Sequence, residues 1–245
     1  MQRVEGEWCL VGDAQLLQLQ RHVHQRARWL HRQPLRLEAT YWSGPLLCTP
    51  APEPWLLGRA DIVGVARNLQ LLRERIVDAF VAGLPDIPAP DDADLTTIAL
   101  SSMPVFFVAR ADHPLVGQAY LTLEQIARYP SLALPEGSYP QVERSLRALG
   151  LWSDPARMQR YRRDLWEGRA ANELTIGYGT ALSLAVSGDG LVRLPLELPF
   201  RSGEALVVRR EFADHPQLHA LRRQLIGRLQ ALAQRHPDLQ VLSEA

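Results

Sequence analysis

The sequence predicts an α/β protein built mainly on a parallel sheet. Compact apolar runs, such as residues 60–66 and 97–110, have the length and character of buried strands. They alternate with segments of helical spacing along most of the chain. Two longer amphipathic helices stand near its ends. Sheets of this kind take ligands at the carboxyl ends of their strands.

In the first long helix, Leu16, Leu19, Val23, Ala27 and Leu30 recur every three or four residues and share one face, with Gln and Arg between them. Asp13 suits an N-cap or first-turn position, and Pro34 limits the other end. A stripe this narrow needs a partner, either the rest of the domain or a second copy. Residues 35–42 then read as a strand. Pro45, Pro50, Pro52 and Pro54 argue against a long helix in the segment that follows. Residues 60–66 are expected as a strand, 68–75 as a short helix, 75–83 as a strand and 84–94 as a loop. Residues 97–110 add strand around Pro104.

Residues 122–130 form a short helix that stops before Pro130. Residues 131–135 read as strand. Ser138, Pro140 and Gln141 make a capping-box arrangement for the next helix. Asp154 and Pro155 repeat a start signal, although 156–163 equally suit a strand. Residues 164–179 read as a helix ending at Gly177 or Gly179. Strands are expected at 180–186, 190–196 and 203–211, the first two separated by a turn. The final stretch places Leu218, Leu221, Leu225, Leu229 and Leu232 on one helical face.

With 245 residues the chain suits one large domain or two small ones. Its net charge is zero and every basic side chain is Arg, so bulk charge favours neither nucleic acid nor membrane. No apolar run reaches bilayer length, and the N-terminus lacks a signal-peptide pattern. Cys9 and Cys48 fit neither a disulfide framework nor a metal knuckle. A reduced cytoplasmic protein without membrane partners is the expectation.

Catalytic signals are weak. No G-x-S-x-G elbow is present, and no acid, base and nucleophile converge by spacing. His215 and His219 lie one turn apart, but they read better as a helix start than as metal ligands. The glycines of residues 177–180 lack the dinucleotide-binding pattern. The reading assigns no catalytic residue, no metal and no cofactor. What remains is a set of small hydroxyl residues where expected strands end: Thr40 and Ser43, Ser101 and Ser102, and Ser138. Hydroxyls and amides at such points bind small anions well.

The order of segments resembles that of LysR-type transcriptional regulators. "ADHPLVGQAYLTLEQIARYPSLAL" resembles the family's His-Pro-Leu, strand and helix passage. "LTIGYGTALSL" resembles its glycine-containing helix end and next strand. "LLRERIVDAFVAGLPD" resembles a first-subdomain strand, with Glu74 where Gly is usual. "LVRLPLELP", "ALVVRRE" and "HPQLHALRRQLI" resemble its return crossing and C-terminal helix. The likeness runs from about Gly6 to about Leu229, and its strength lies in order and spacing.

The resemblance implies a periplasmic-binding-protein-like fold of two α/β subdomains with a ligand cleft, preceded by a long linker helix. Residues 1–12 would be the remnant of a DNA-binding wing, and 13–33 the linker helix, pairing between subunits through Leu16, Leu19, Val23, Ala27 and Leu30. Residues 34–129 and 201–245 would form subdomain I, and 130–200 subdomain II. The cleft positions carry over to Thr40, Ser43, Ser101, Ser102, Ser138 and Tyr178. The implied function is effector binding and oligomerisation in a regulator that senses a small anionic metabolite. DNA would be a partner only with a winged helix-turn-helix supplied upstream, which these residues do not contain. The alternative is a free-standing small-molecule-binding protein or enzyme on the same fold.

Overall fold

The computed structural model describes residues 2–4, 7–9, 13–47, 55–58, 64–170, 174–187 and 190–242. Strands β1 (Gln2–Val4) and β2 (Glu7–Cys9) pair antiparallel ahead of helix α1 (Asp13–Leu30). Then come β3 (Leu35–Ala39), α2 (Gly44–Leu47), β4 (Trp55–Leu57), α3 (Val65–Arg73), β5 (Ala79–Leu84), β6 (Leu95–Ala99) and β7 (Ser101–Ala109). The second half holds α4 (Leu123–Ile126), β8 (Ser131–Leu132), α5 (Pro140–Ala148), β9 (Met158–Gln159), α6 (Arg163–Trp166), β10 (Gly177–Gly179) and α7 (Ala181–Ser187). Strand β11 (Val192–Arg209), helix α8 (Pro216–Ala233) and β12 (Gln240–Val241) complete it.

The main sheet has the order β10-β7-β11-β5-β3-β4, with β6 against β11 and β12 against β7. It is mixed, not mainly parallel. β3 runs parallel to β4 and β5, whereas β11 runs antiparallel to β5, β6 and β7. The cause lies in β11, an 18-residue strand that returns along the molecule. Its first half alternates in burial, as an open strand does. Its second half, Ala205 to Val208, is fully buried between β5 and β6.

The two largest of four hydrophobic clusters among the described residues divide along β7 and β11. The first packs Leu35, Leu37 and Val81 under the Leu218, Leu221, Leu225 and Leu229 face of α8. The second gathers Phe107, Leu146, Ile176 and Leu194. Met103 belongs to the first core and Val105 to the second. Core membership along β7 therefore changes near Pro104, and Leu115, Leu121 and Ile126 share the second core with Leu146 of α5.

Other expectations also change. Val65 opens α3 instead of ending a strand, and 60–63 lie outside the described residues. Residues 164–179 do not form one helix. α6 is only four residues long, and Gly177–Gly179 pair with β7. Residues 180–186, expected as a strand, enter helix α7, where Thr180 N donates to Ser183 Oγ at 3.2 Å in its first turn. The stripe on α8 is as expected, and His215 caps that helix by accepting from Gln217 N at 3.3 Å.

Helix α1 docks through one face. Gln25 and Trp29 are buried, and both donate to the Asp78 carboxylate, at 2.7 and 3.4 Å. Arg36 adds its backbone N–H at 2.8 Å and its guanidinium at 3.2 Å. Trp29 also stacks on Phe212 with ring centroids 4.2 Å apart. The Leu16, Leu19, Val23 and Leu30 stripe faces away from this contact. These four side chains are 63%, 60%, 60% and 81% exposed.

Candidate functional site

β3 ends at Ala39, and the chain turns into α2 through Thr40 and Ser43. Thr40 N donates to Val81 O at 3.1 Å, which holds the turn against β5. The Thr40 and Ser43 hydroxyls lie 2.5 Å apart, and Ser43 N donates to Thr40 Oγ1 at 3.2 Å. Ser43 Oγ donates in turn to Glu204 Oε2 on β11. Glu204 N donates to Ser101 Oγ at 2.9 Å. Three hydroxyl residues singled out in the sequence thus gather around Glu204, which the sequence reading missed: Ser43 on its carboxyl, Thr40 behind Ser43, and Ser101 on its backbone N–H. All four residues are buried.

Beside Thr40 and Glu204, and between the two cores, lies a cavity of about 90 Å³. Its walls include Trp42, Tyr139, Trp152, Trp166, Tyr178 and Phe200. Tyr178 Oη meets Ser131 Oγ at 2.5 Å. Burial pushes the Tyr178 phenol up to about 12, opposed by that bond. Burial likewise pushes the Glu204 carboxyl up to about 8, opposed by the Ser43 hydroxyl. No Arg or His stands among the described lining residues. Arg147 and Arg160 belong to a separate open depression of about 640 Å³ that shares only Leu134 and Trp152 with the cavity.

Ser102 and Ser138 stand apart from the hydroxyl cluster. Ser102 Oγ accepts from Arg201 Nε at 2.8 Å, next to β12 and away from the cavity lining. Ser138 is not the expected cap of α5. Its hydroxyl donates to Pro135 O at 2.5 Å, and Tyr139 occupies the cap position, where its side chain does not cap the helix. The helix-start amides go elsewhere. Gln141 N and Val142 N donate to Asp86 at 2.8 and 3.1 Å. Asp86 lies just past β5, so the first core supplies the cap for a helix of the second. Burial raises the Asp86 carboxyl above its ordinary range, opposed by these two backbone bonds. Ser138 O accepts from Val65 N at 2.9 Å. Gly64, at φ +88°, permits this approach, since a Cβ there would lie 3.0 Å from Ser138 Cα.

Sequence reasoning missed Glu204, Asp86 and the tryptophans of the cavity wall. For Glu204 the sequence offered no local signal that sets it apart from the other acids. For Asp86 the signal was the position directly after a strand end.

Two cores joined by crossing strands, with a ligand-sized cavity between them, define a periplasmic-binding-protein-like effector domain preceded by a helix. Residues 61–230 match the LysR substrate binding domain, and the chain belongs to that family. Its fold is similar to that of a full-length OxyR variant from Pseudomonas aeruginosa, at 18% identity and a TM-score of 0.64, covering 100% of this chain and 83% of that one. Reduced OxyR from N. meningitidis gives 18% identity and a TM-score of 0.61, covering 86% of this chain and 99% of that one. The regulatory domain of MetR, a LysR family regulator from N. meningitidis, gives 15% and 0.58, covering 86% and 98%. No curated protein sequence matches the chain. Among the described residues no helix is long and apolar enough to cross a membrane.

Proposed function

We propose that the chain is the effector-binding and oligomerisation part of a LysR-type transcriptional regulator, cytoplasmic and without catalytic activity. A small molecule enters the cavity between the cores and shifts the balance between open and closed arrangements. The observation that carries this reading is the aromatic-walled cavity with one polar cluster, Thr40, Ser43 and Glu204, at its edge. Subdomain I comprises residues 34 to about 104 and 201–245, and subdomain II comprises about 105–200. Thr40 and Tyr178 contact the effector directly. Ser43 and Ser101 act through Glu204, and Ser138 acts through the backbone junction with α3.

The anionic effector expected from the sequence finds little support in the cavity. The Ser43 hydroxyl already donates to Glu204, and no cation stands among the described lining residues.

The exposed stripe of α1 supports pairing with a second copy through Leu16, Leu19, Val23, Ala27 and Leu30. Burying each Leu there contributes about 1.5–3 kcal/mol. DNA is a partner only where a winged helix-turn-helix is supplied upstream of α1. Sedimentation of the chain at micromolar concentration tests the pairing. A dimer that becomes monomeric in the Leu16→Asp/Leu19→Asp variant is expected. A monomer in the unmutated chain would overturn it.

A further inference from the structure

We propose that the cavity takes a small organic cation, a primary ammonium on a short apolar body, with Glu204 Oε1 as its acceptor. This rests on the cleft being the effector site. Glu204 is 4% exposed and lines the cavity. Its position is fixed from behind, by Ser43 on Oε2 and by Ser101 on its backbone N–H. Oε1 accepts no hydrogen bond from any described residue. Oε1 is open to the cavity, and a ligand that donates to it adds a charge-assisted hydrogen bond.

The charge of the walls decides between ligand classes. No cation among the described lining residues balances Glu204, and the other ionisable side chains there are the phenols of Tyr139 and Tyr178. A carboxylate ligand would meet either a like charge or a carboxyl forced to keep its proton. A neutral apolar ligand would leave Oε1 without a partner. An ammonium supplies donors to Oε1, and the faces of the surrounding Trp and Tyr rings favour positive charge. The cavity, at about 90 Å³, suits a compact aliphatic body better than a polycyclic one.

The proton balance gives the idea a sign. In the free protein burial keeps Glu204 largely protonated at neutral pH, since its carboxyl is pushed up to about 8. Binding an ammonium then displaces that proton to solvent. Affinity for the cation rises as pH rises towards 8, whereas affinity for a carboxylate falls over the same interval.

Three probes share a branched body: isobutylamine, isobutanol and isobutyrate. Each is titrated into the full chain carrying ¹⁵N-labelled tryptophan, with the indole N–H signals of Trp42, Trp152 and Trp166 reporting occupancy. Isobutylamine is expected to bind about tenfold tighter than isobutyrate near pH 8.5, equivalent to about 1.4 kcal/mol. Its preference should shrink near pH 6.5. Glu204→Gln should bring amine and alcohol to within about twofold. Should that variant misfold, the pH profile of the unmutated chain carries the test. A tighter isobutyrate, or an amine preference that survives Glu204→Gln, would overturn the ammonium and leave the cleft reading standing. Silence of all three indole signals with every probe would overturn both.

Discussion

Asp78 and Glu204 are both buried carboxylates, and they are treated oppositely. Asp78, where α1 meets the domain, accepts from Gln25, Trp29 and two groups of Arg36, the last a cation. Glu204, beside the cavity, has one hydroxyl on one oxygen and no cation beside it among the described residues. A buried charge is tolerated when it is surrounded by donors. Asp78 meets that condition from within the fold and acts as a structural anchor. Glu204 does not, and its shortfall opens onto a cavity. On the proposed reading, the less satisfied of the two carboxyls is the one left for a ligand.

The largest expected effect comes from breaking the satisfied member. Asp78→Ala removes the carboxylate that Gln25, Trp29 and Arg36 share and should cost about 3–5 kcal/mol. Urea denaturation measures this, and a loss under about 1 kcal/mol would deny Asp78 its anchoring role.

The second prediction sharpens the contrast through pH. Glu204 has a folded-state value raised from 4.5 to about 8. The native state therefore holds a proton that the unfolded chain gives up. The resulting stabilisation is full below about pH 4.5 and is lost as pH rises to about 8. Relative to Glu204→Gln, the unmutated chain should lose roughly 3 kcal/mol between pH 5 and 8. Parallel stability profiles for the two proteins would show Glu204 ionising normally.

The third and smallest effect concerns Asp86, a carboxylate whose donors come from the opposite core. Asp86→Ala removes the cap of α5 and should cost about 1–2 kcal/mol. The test is amide hydrogen exchange at Gln141 and Val142, which should accelerate while the first core stays protected. Unchanged exchange at both amides would mean that the α5 start is held by other contacts.

The two long helices were legible because their apolar positions recur over four or more turns. Residues 180–186 were not, since seven mostly apolar residues carry no decisive period, and the start of α7 is set by Ser183. Residues 164–179 misled because glycines suited to a helix C-terminus also suit a strand packed closely on Val108. At the site, Thr40, Ser43 and Ser101 were legible as hydroxyls at strand ends. What they serve was not. Glu204 lies 161 positions from Ser43 in the chain, and nothing in its flanks tells it from the other acids. Its burial is created by β5 and β6 closing on either side of β11, a long-range event without a local signature.

Strand β5 begins directly after Asp78, which anchors α1, and ends two residues before Asp86, which holds α5. Gly83 and Leu84 at that far end also line the cavity. Six extended residues span roughly 20 Å, and a strand hydrogen-bonded on both sides neither stretches nor bends readily. β5 is therefore a push-rod with a fitting at each tip. Any change in spacing between Asp78 and Asp86 would have to be taken up outside the strand. The two ends of the molecule are geared together by a single short element.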